Sequence, residues 1–243
     1  MNIKPTGIVN MKFRGAAALA SLALLGAVSM HSAMAQGSWT SSMSVNPATA
    51  WLTKGVVVKA SNLGPLSGSK INIQSATVAG ITFDTILTNV TVGNDASSWG
   101  SGYIPQNPPI TKSYYSGSDS SVSNLVNTWA WVHRWWDEDP DQNVCINFSD
   151  LVPGHTYQFQ LLVGIPWDYD GVNLYGPNGE TTWFAAQPGQ GKKIGMATFR
   201  WTATSASGQF NINLPKEKEV ELFAYALIDT SAGSSTASGQ KTP

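Results

Sequence analysis

The sequence predicts an all-β chain, an antiparallel β-sandwich with one short helix ahead of its central hairpin. Three observations predict it. From Val144 to Val163 two apolar runs alternate with a period of two: Val144, Ile146 and Phe148 share one face, as do Tyr157, Phe159, Leu161 and Val163. Short β-branched runs elsewhere recur between Gly- and Pro-containing turns, as sandwiches and jelly rolls need. Three more strand-like runs fill the stretch from Met196 to Ile228.

Lys4, Lys12 and Arg14 precede an apolar run from Ala16 to Val28, and Ala33-Met34-Ala35 follows it. This pattern reads as a secretory signal peptide over residues 1–35, cut after Ala35. The run is shorter than the ~20 residues of a spanning helix, so no membrane insertion is expected after cleavage. The expected destination is the periplasm, the cell surface or the medium. Removing the three basic residues of the signal leaves eleven Lys and Arg against fifteen Asp and Glu, a net charge of −4 (11 − 15). That balance argues against nucleic acid as a partner. Cys145 is the one cysteine, which excludes an intrachain disulfide and reads as structural.

Residues 36–50 are polar and Ser-rich, a flexible lead-in or a first edge strand, and the sandwich is expected over 51–229. Gly55 to Ala60, Ile71 to Ile73 and Val78 to Phe83 read as short strands. A loop rich in Gly, Ser, Asn and Pro occupies 93–120. Leu125, Trp129, Val132 and Trp136 then recur at helical spacing, predicting a helix from Ser121 to Trp136 capped by Ser120 or Ser121. The run Asp137-Glu138-Asp139-Pro140-Asp141 stops it.

The two runs of 144–163 are expected to pair as a hairpin, with Pro153 and Gly154 reversing the chain between them. A second Gly- and Pro-rich excursion spans 164–193. Met196 to Thr204, Phe210 to Leu214 and Val220 to Ile228 supply the last strands, and 230–243 reads as a disordered tail.

The segment Ile146–Leu161 (INFSDLVPGHTYQFQL) resembles a recurring "strand, GL-x-PG-x-x-Y-x-x-Q-L, strand" unit of secreted bacterial proteins. These are galactose-binding-like or carbohydrate-binding-module-like jelly-roll domains. Val78–Phe83 is similar to that family's "v-N-G-I-x-F" strand, with Ala79 where Asn is usual. Gly195–Ala203 resembles its "G-x-x-x-x-F-x-A" strand and Leu222–Leu227 its closing "l-n-A-y-x-L". The resemblance implies the fold more than an activity. Relatives follow the second strand with an Asp-x-Arg pair; here Asp168 keeps the acidic position and the arginine is absent.

Candidate ligand-binding residues come from two aromatic segments. Trp131 and Trp135 stand off the helical stripe beside Arg134, and the later excursion offers Trp167, Asp168, Tyr169, Asp170, Asn173, Tyr175 and Trp183. Flat aromatic faces suit the C–H faces of sugars, and neighbouring polar groups suit their hydroxyls. Both segments adjoin the expected hairpin, which would scaffold a site between two walls. No cofactor is expected. Asp137, Asp139 and Asp141 could hold Ca²⁺, but they lack a complete calcium-loop pattern and read rather as a solvated acidic stop.

No H-E-x-x-H, G-x-S-x-G or P-loop is present. The first functional expectation is therefore an exported, non-catalytic domain that binds polysaccharide. A self-assembling cell-surface or matrix protein is the alternative, favoured by low charge and abundant Ser, Gly and Thr. A glycan-degrading enzyme is a third; it would need a carboxylate pair such as Glu138 or Glu180 with Asp168.

Overall fold

The computed structural model describes residues 37–64, 74–92, 117–126, 129–134, 142–168, 170–186, 193–215 and 217–232. The expected signal segment, the run Ile71–Ile73 and the stretch 93–116 lie outside these. Thirteen strands and one helix are described: β1 (Ser38–Met43), β2 (Val56–Asn62), β3 (Ala76–Val78), β4 (Ile81–Phe83), β5 (Val90–Val92), α1 (Ser120–Val126), β6 (Ala130–Arg134), β7 (Gln142–Phe148), β8 (Thr156–Ile165), β9 (Gly171–Tyr175), β10 (Thr181–Ala185), β11 (Lys193–Thr202), β12 (Gly208–Leu214) and β13 (Lys218–Asp229).

Two antiparallel sheets form a sandwich. One runs β1-β11-β8-β13-β2, with β6 also on β13; the other runs β10-β9-β12-β7-β5. β6 takes residues 218–222 of β13, and β2 takes residues 224–229. Alternation dictates what lies between the sheets. Phe159, Leu161 and Phe199 from the six-stranded sheet meet Val144, Ile146 and Phe210 from the five-stranded one in a single buried cluster. The rings of Phe159 and Phe210 stack across the gap with centroids 4.0 Å apart and planes 13° from parallel.

The six-stranded sheet is also buried on its outer side. Leu162, Met196, Ala224, Ala226 and Ile228 form a second cluster there with Trp51, the β3–β4 pair and Val122, Leu125 and Val126 of α1.

The expected hairpin of 144–163 is corrected. Its inward residues are buried as alternation requires, but β7 pairs with β12 and β5, whereas β8 pairs with β11 and β13. The segment is an arch that passes from one sheet to the other. Gly154, at φ 86°, and the Val152 carbonyl accepting the His155 N–H at 3.0 Å make the turn. The Val152 N–H donates to the Tyr157 hydroxyl at 2.8 Å, and Leu151 donates to the Ala206 carbonyl at 2.9 Å. The bond from Leu151 ties the arch to the second arch, between β11 and β12. A turn that bends out of its sheet uses the same Pro-Gly chemistry as one that stays in it.

Three more expectations change. The helix ends at Val126, and Ala130–Arg134 is strand β6, because pairing with β13 outweighs a helical stripe that would have run on to Trp136. Its cap is Asp119, whose carboxylate accepts the N–H groups of Ser121 and Val122 at 2.9 and 3.2 Å. Val78–Phe83 is not one strand: Ala79 (φ 52°) and Gly80 (φ 79°) turn it into the β3–β4 hairpin. The excursion over 164–193 contains a second hairpin, β9–β10. The first residues of the expected tail are held in place, with Thr230 donating its N–H to the Thr156 carbonyl at 2.8 Å.

Candidate functional site

The five-stranded sheet leaves one face outward, and its sequence makes that face unusual. In β12, Phe210, Ile212 and Leu214 point into the core, so Gln209, Asn211 and Asn213 point out. In β7, Val144, Ile146 and Phe148 point in, so Asn143, Cys145 and Asn147 point out. Val172 and Leu174 of β9 leave Asn173 and Tyr175 outside, and Phe184 of β10 leaves Trp183 outside.

Register lines these residues up across the strands. One row is Trp183, Asn173, Asn213 and Asn143, taken in turn from β10, β9, β12 and β7. The next is Thr181, Tyr175, Asn211, Cys145 and Thr91, reaching β5. Gln209 faces Asn147 in a third.

Hydrogen bonds between strands hold the amides in place. The Asn213 amide donates to Asn143 Oδ1 at 2.5 Å, and Gln209 donates to Asn147 Oδ1 at 2.7 Å. Cys145 Sγ–H donates to Asn211 Oδ1 at 2.8 Å, and Asn211 Nδ2 donates to Gln209 Oε1 at 3.4 Å. Each amide has two donors and an oxygen that accepts twice, so these bonds leave capacity for a ligand. Burial pushes the Cys145 thiol up, against a lowering hydrogen bond with Thr91, so the thiol is neutral around neutral pH.

Trp183 is 46 % exposed, and its ring lies over Gly171. A Cβ at Gly171 would come within 2.7 Å of Trp183 Cζ2 and 2.6 Å of the Phe184 carbonyl oxygen. Glycine is therefore what lets the indole lie close against the sheet.

Of the residues picked from sequence, Asn173, Tyr175 and Trp183 meet on this face. Trp167, 48 % exposed, and the exposed Asp168 lie at the corner between β8 and β9. Asp170 is corrected: it is buried, 7 % exposed, and its carboxylate accepts the Glu219 N–H. Burial first, and then the neighbouring Glu219 carboxylate, push it up to about 6, against the lowering influence of Lys218 and that N–H.

Tyr169, Trp135, Asp137, Asp139 and Asp141 lie outside the described residues. Trp131 and Arg134 belong to β6, where Trp131 stands opposite Glu221 and Arg134 opposite Lys218 in the six-stranded sheet. β6 and the β9–β10 hairpin belong to different sheets. Among the described residues, no group of three or more His, Cys, Asp or Glu side chains is placed to hold a metal ion.

Glu180 is committed to the fold. Its carboxylate accepts the Gly37 N–H at 2.9 Å, the Asn178 N–H at 3.0 Å and the Asn178 amide at 3.2 Å. Burial raises this group, yet those bonds together hold it below the usual carboxylate range. His155 is paired elsewhere: its Nδ1 lies 2.7 Å from Asp229 Oδ2, on β13 of the other sheet.

The residues that sequence reading missed are Asn143, Asn147, Gln209, Asn211 and Asn213. Their signal was available, since every outward position of Gln209–Leu214 is an amide. Only register reveals that the amides of three strands adjoin.

No family model matches this chain, and no curated protein matches it. Among solved structures, it is similar to a family GH115 4-O-methyl-α-glucuronidase, BtGH115A, described as specific for decorated arabinogalactans. The two are 12 % identical with a TM-score of 0.31, over 42 % of this chain and 14 % of that one. The chain therefore spans only a small part of that enzyme's length.

Proposed function

We propose that this chain is an exported, non-catalytic domain that binds extracellular carbohydrate, a galactose-binding-like relative in the sense of its sequence resemblance. The observation that carries the reading is the outer face of the five-stranded sheet, where Trp183 and Tyr175 share a surface with the amides of Asn173, Asn211, Asn213 and Asn143. Sugars present C–H faces to aromatic rings and hydroxyls to groups that both donate and accept. Amides do both, and fixing them by cross-strand bonds lowers the entropy cost of binding. No cofactor enters this reading, so EDTA should leave binding unchanged.

The test is titration of the mature protein, from Gln36 onward, against a set of polysaccharides while tryptophan fluorescence is followed. A saturable change that Trp183→Ala removes and Trp167→Ala retains supports the outer face as the site. No response to any glycan overturns the reading.

One observation favours self-association as a second reading. Val56, Val57 and Val58 of strand β2, which ends the path of the six-stranded sheet, are 51 %, 41 % and 42 % exposed. Sedimentation decides it. A concentration-dependent increase in mass that Val57→Lys abolishes supports it, and a monomer at every concentration rules it out.

A further inference from the structure

The outer face has a direction and a charge state, and both restrict what can occupy it. Among the described residues, its outward positions in β5, β7, β9, β10 and β12 are Thr91, Asn143, Cys145, Asn147, Gly171, Asn173, Tyr175, Thr181, Trp183, Ala185, Gln209, Asn211 and Asn213. None is a cation that could pair with a carboxylate or sulfate, and none is an anion. Uronic or sulfated sugars would lose water here without gaining a charged partner, whereas hydroxyls lose nothing that an amide cannot replace.

The direction follows from spacing. Neighbouring strands stand ~4.8 Å apart, while successive outward residues along one strand are ~6.8 Å apart. The shorter interval is close to the length of one pyranose unit in an extended chain. The row Trp183, Asn173, Asn213, Asn143 therefore repeats a polar or aromatic contact about once per sugar. The hydrogen bond from Asn213 to Asn143 runs along that row and fixes the two amides relative to each other. Trp183 closes one end, its indole held near the sheet by the missing Cβ of Gly171.

We infer that the site takes an uncharged, extended polysaccharide laid across the strands, with about one sugar over each of β10, β9, β12 and β7. This rests on the carbohydrate reading above and narrows it to a ligand class and an orientation.

The experiment uses the mature protein with neutral β-linked gluco-, xylo- and manno-oligosaccharides of two to eight units, and with oligogalacturonates of the same lengths. Binding is measured by calorimetry and by tryptophan fluorescence. For at least one neutral series, Kd should fall about tenfold or more from the disaccharide to the tetrasaccharide, and change less than about twofold beyond it. Asn213→Asp and Asn143→Asp, which keep shape but add charge to the row, should each weaken binding about tenfold or more. Asn147→Asp, off the row, should weaken it less. Thermal melts confirm that the variants fold.

Preference for the oligogalacturonates overturns the inference while leaving the carbohydrate reading intact. So does affinity that stops rising at two units or keeps rising to eight, and so does equal sensitivity at Asn147 and Asn213. Absence of binding to every glycan overturns both.

Discussion

On the outer side of the six-stranded sheet, Leu162, Met196, Ala224 and Ala226 lie buried beneath Trp51, the β3–β4 hairpin and α1. On the outer side of the five-stranded sheet, Asn211, Asn213, Asn143 and Asn173 are only partly covered. The strands carry the difference in their sequences. β8 contains Leu161-Leu162-Val163 and β13 contains Leu222-Phe223-Ala224, because a strand covered on both faces favours apolar residues at successive positions. β12 alternates without a break, as a strand with one wet face does. The comparison separates a face built for packing from a face left open. An open face made of amides and aromatics, rather than the Lys and Glu common on surfaces, is the feature that calls for a function.

If the covered face belongs to the cooperative fold, a fully buried ring within it should matter most. Phe83 is fully buried, with its centroid 4.6 Å from that of Trp51. Phe83→Ala is expected to cost about 3–5 kcal/mol in urea denaturation. A loss below about 1 kcal/mol would mean that the cover opens independently of the sandwich.

Asp170 tests the end of the open sheet. Its carboxyl, at about 6 in the folded protein, sits above its ordinary value of 3.8. A raised value means that its contribution is complete below pH ~4 and is lost as pH rises through ~6, on the order of 2–3 kcal/mol. Asp170→Asn keeps an oxygen for the Glu219 N–H. It should remove most of the fall in stability between pH 4 and 7, measured by denaturation at a series of pH values. An unchanged slope would show that another group carries it. Asp229 has the opposite sign. Burial raises it, but bonds from His155 and from the N–H groups of Ser231 and Ala232 hold it below the usual range. Its contribution is therefore present at neutral pH and lost on acidification below about pH 4.

A smaller effect sharpens the account of the cover. Ala79 occupies a left-handed position before Gly80, where its Cβ is disfavoured. Ala79→Asn should raise stability by about 0.5–1 kcal/mol, read as a higher denaturation midpoint. The smallest effect is expected on the open face, where Gln209→Ala should change stability by less than about 0.5 kcal/mol. A larger loss would place the amide network among the structural features.

Val78–Phe83 reads as one strand, yet the left-handed pair Ala79-Gly80 folds it into a tight hairpin. The helix was half legible. Val122, Leu125 and Val126 do form one buried side, but the same stripe ran on into Val132, which pairs in a strand. Local periodicity could not show that β13 offers a free edge there.

The sequence alone determined which residues face the core. A period of two is local, and burying one face of Val144–Phe148 and of Tyr157–Val163 satisfies it whichever sheet each strand joins. Tertiary structure decided the sheet. The Pro153-Gly154 turn can hold two strands edge to edge or fold one over the other, and here the stacking of Phe159 on Phe210 accompanies the second arrangement. Tertiary structure also decided the site, because the amides of β7, β9 and β12 are up to 70 residues apart in sequence and become one row only through register.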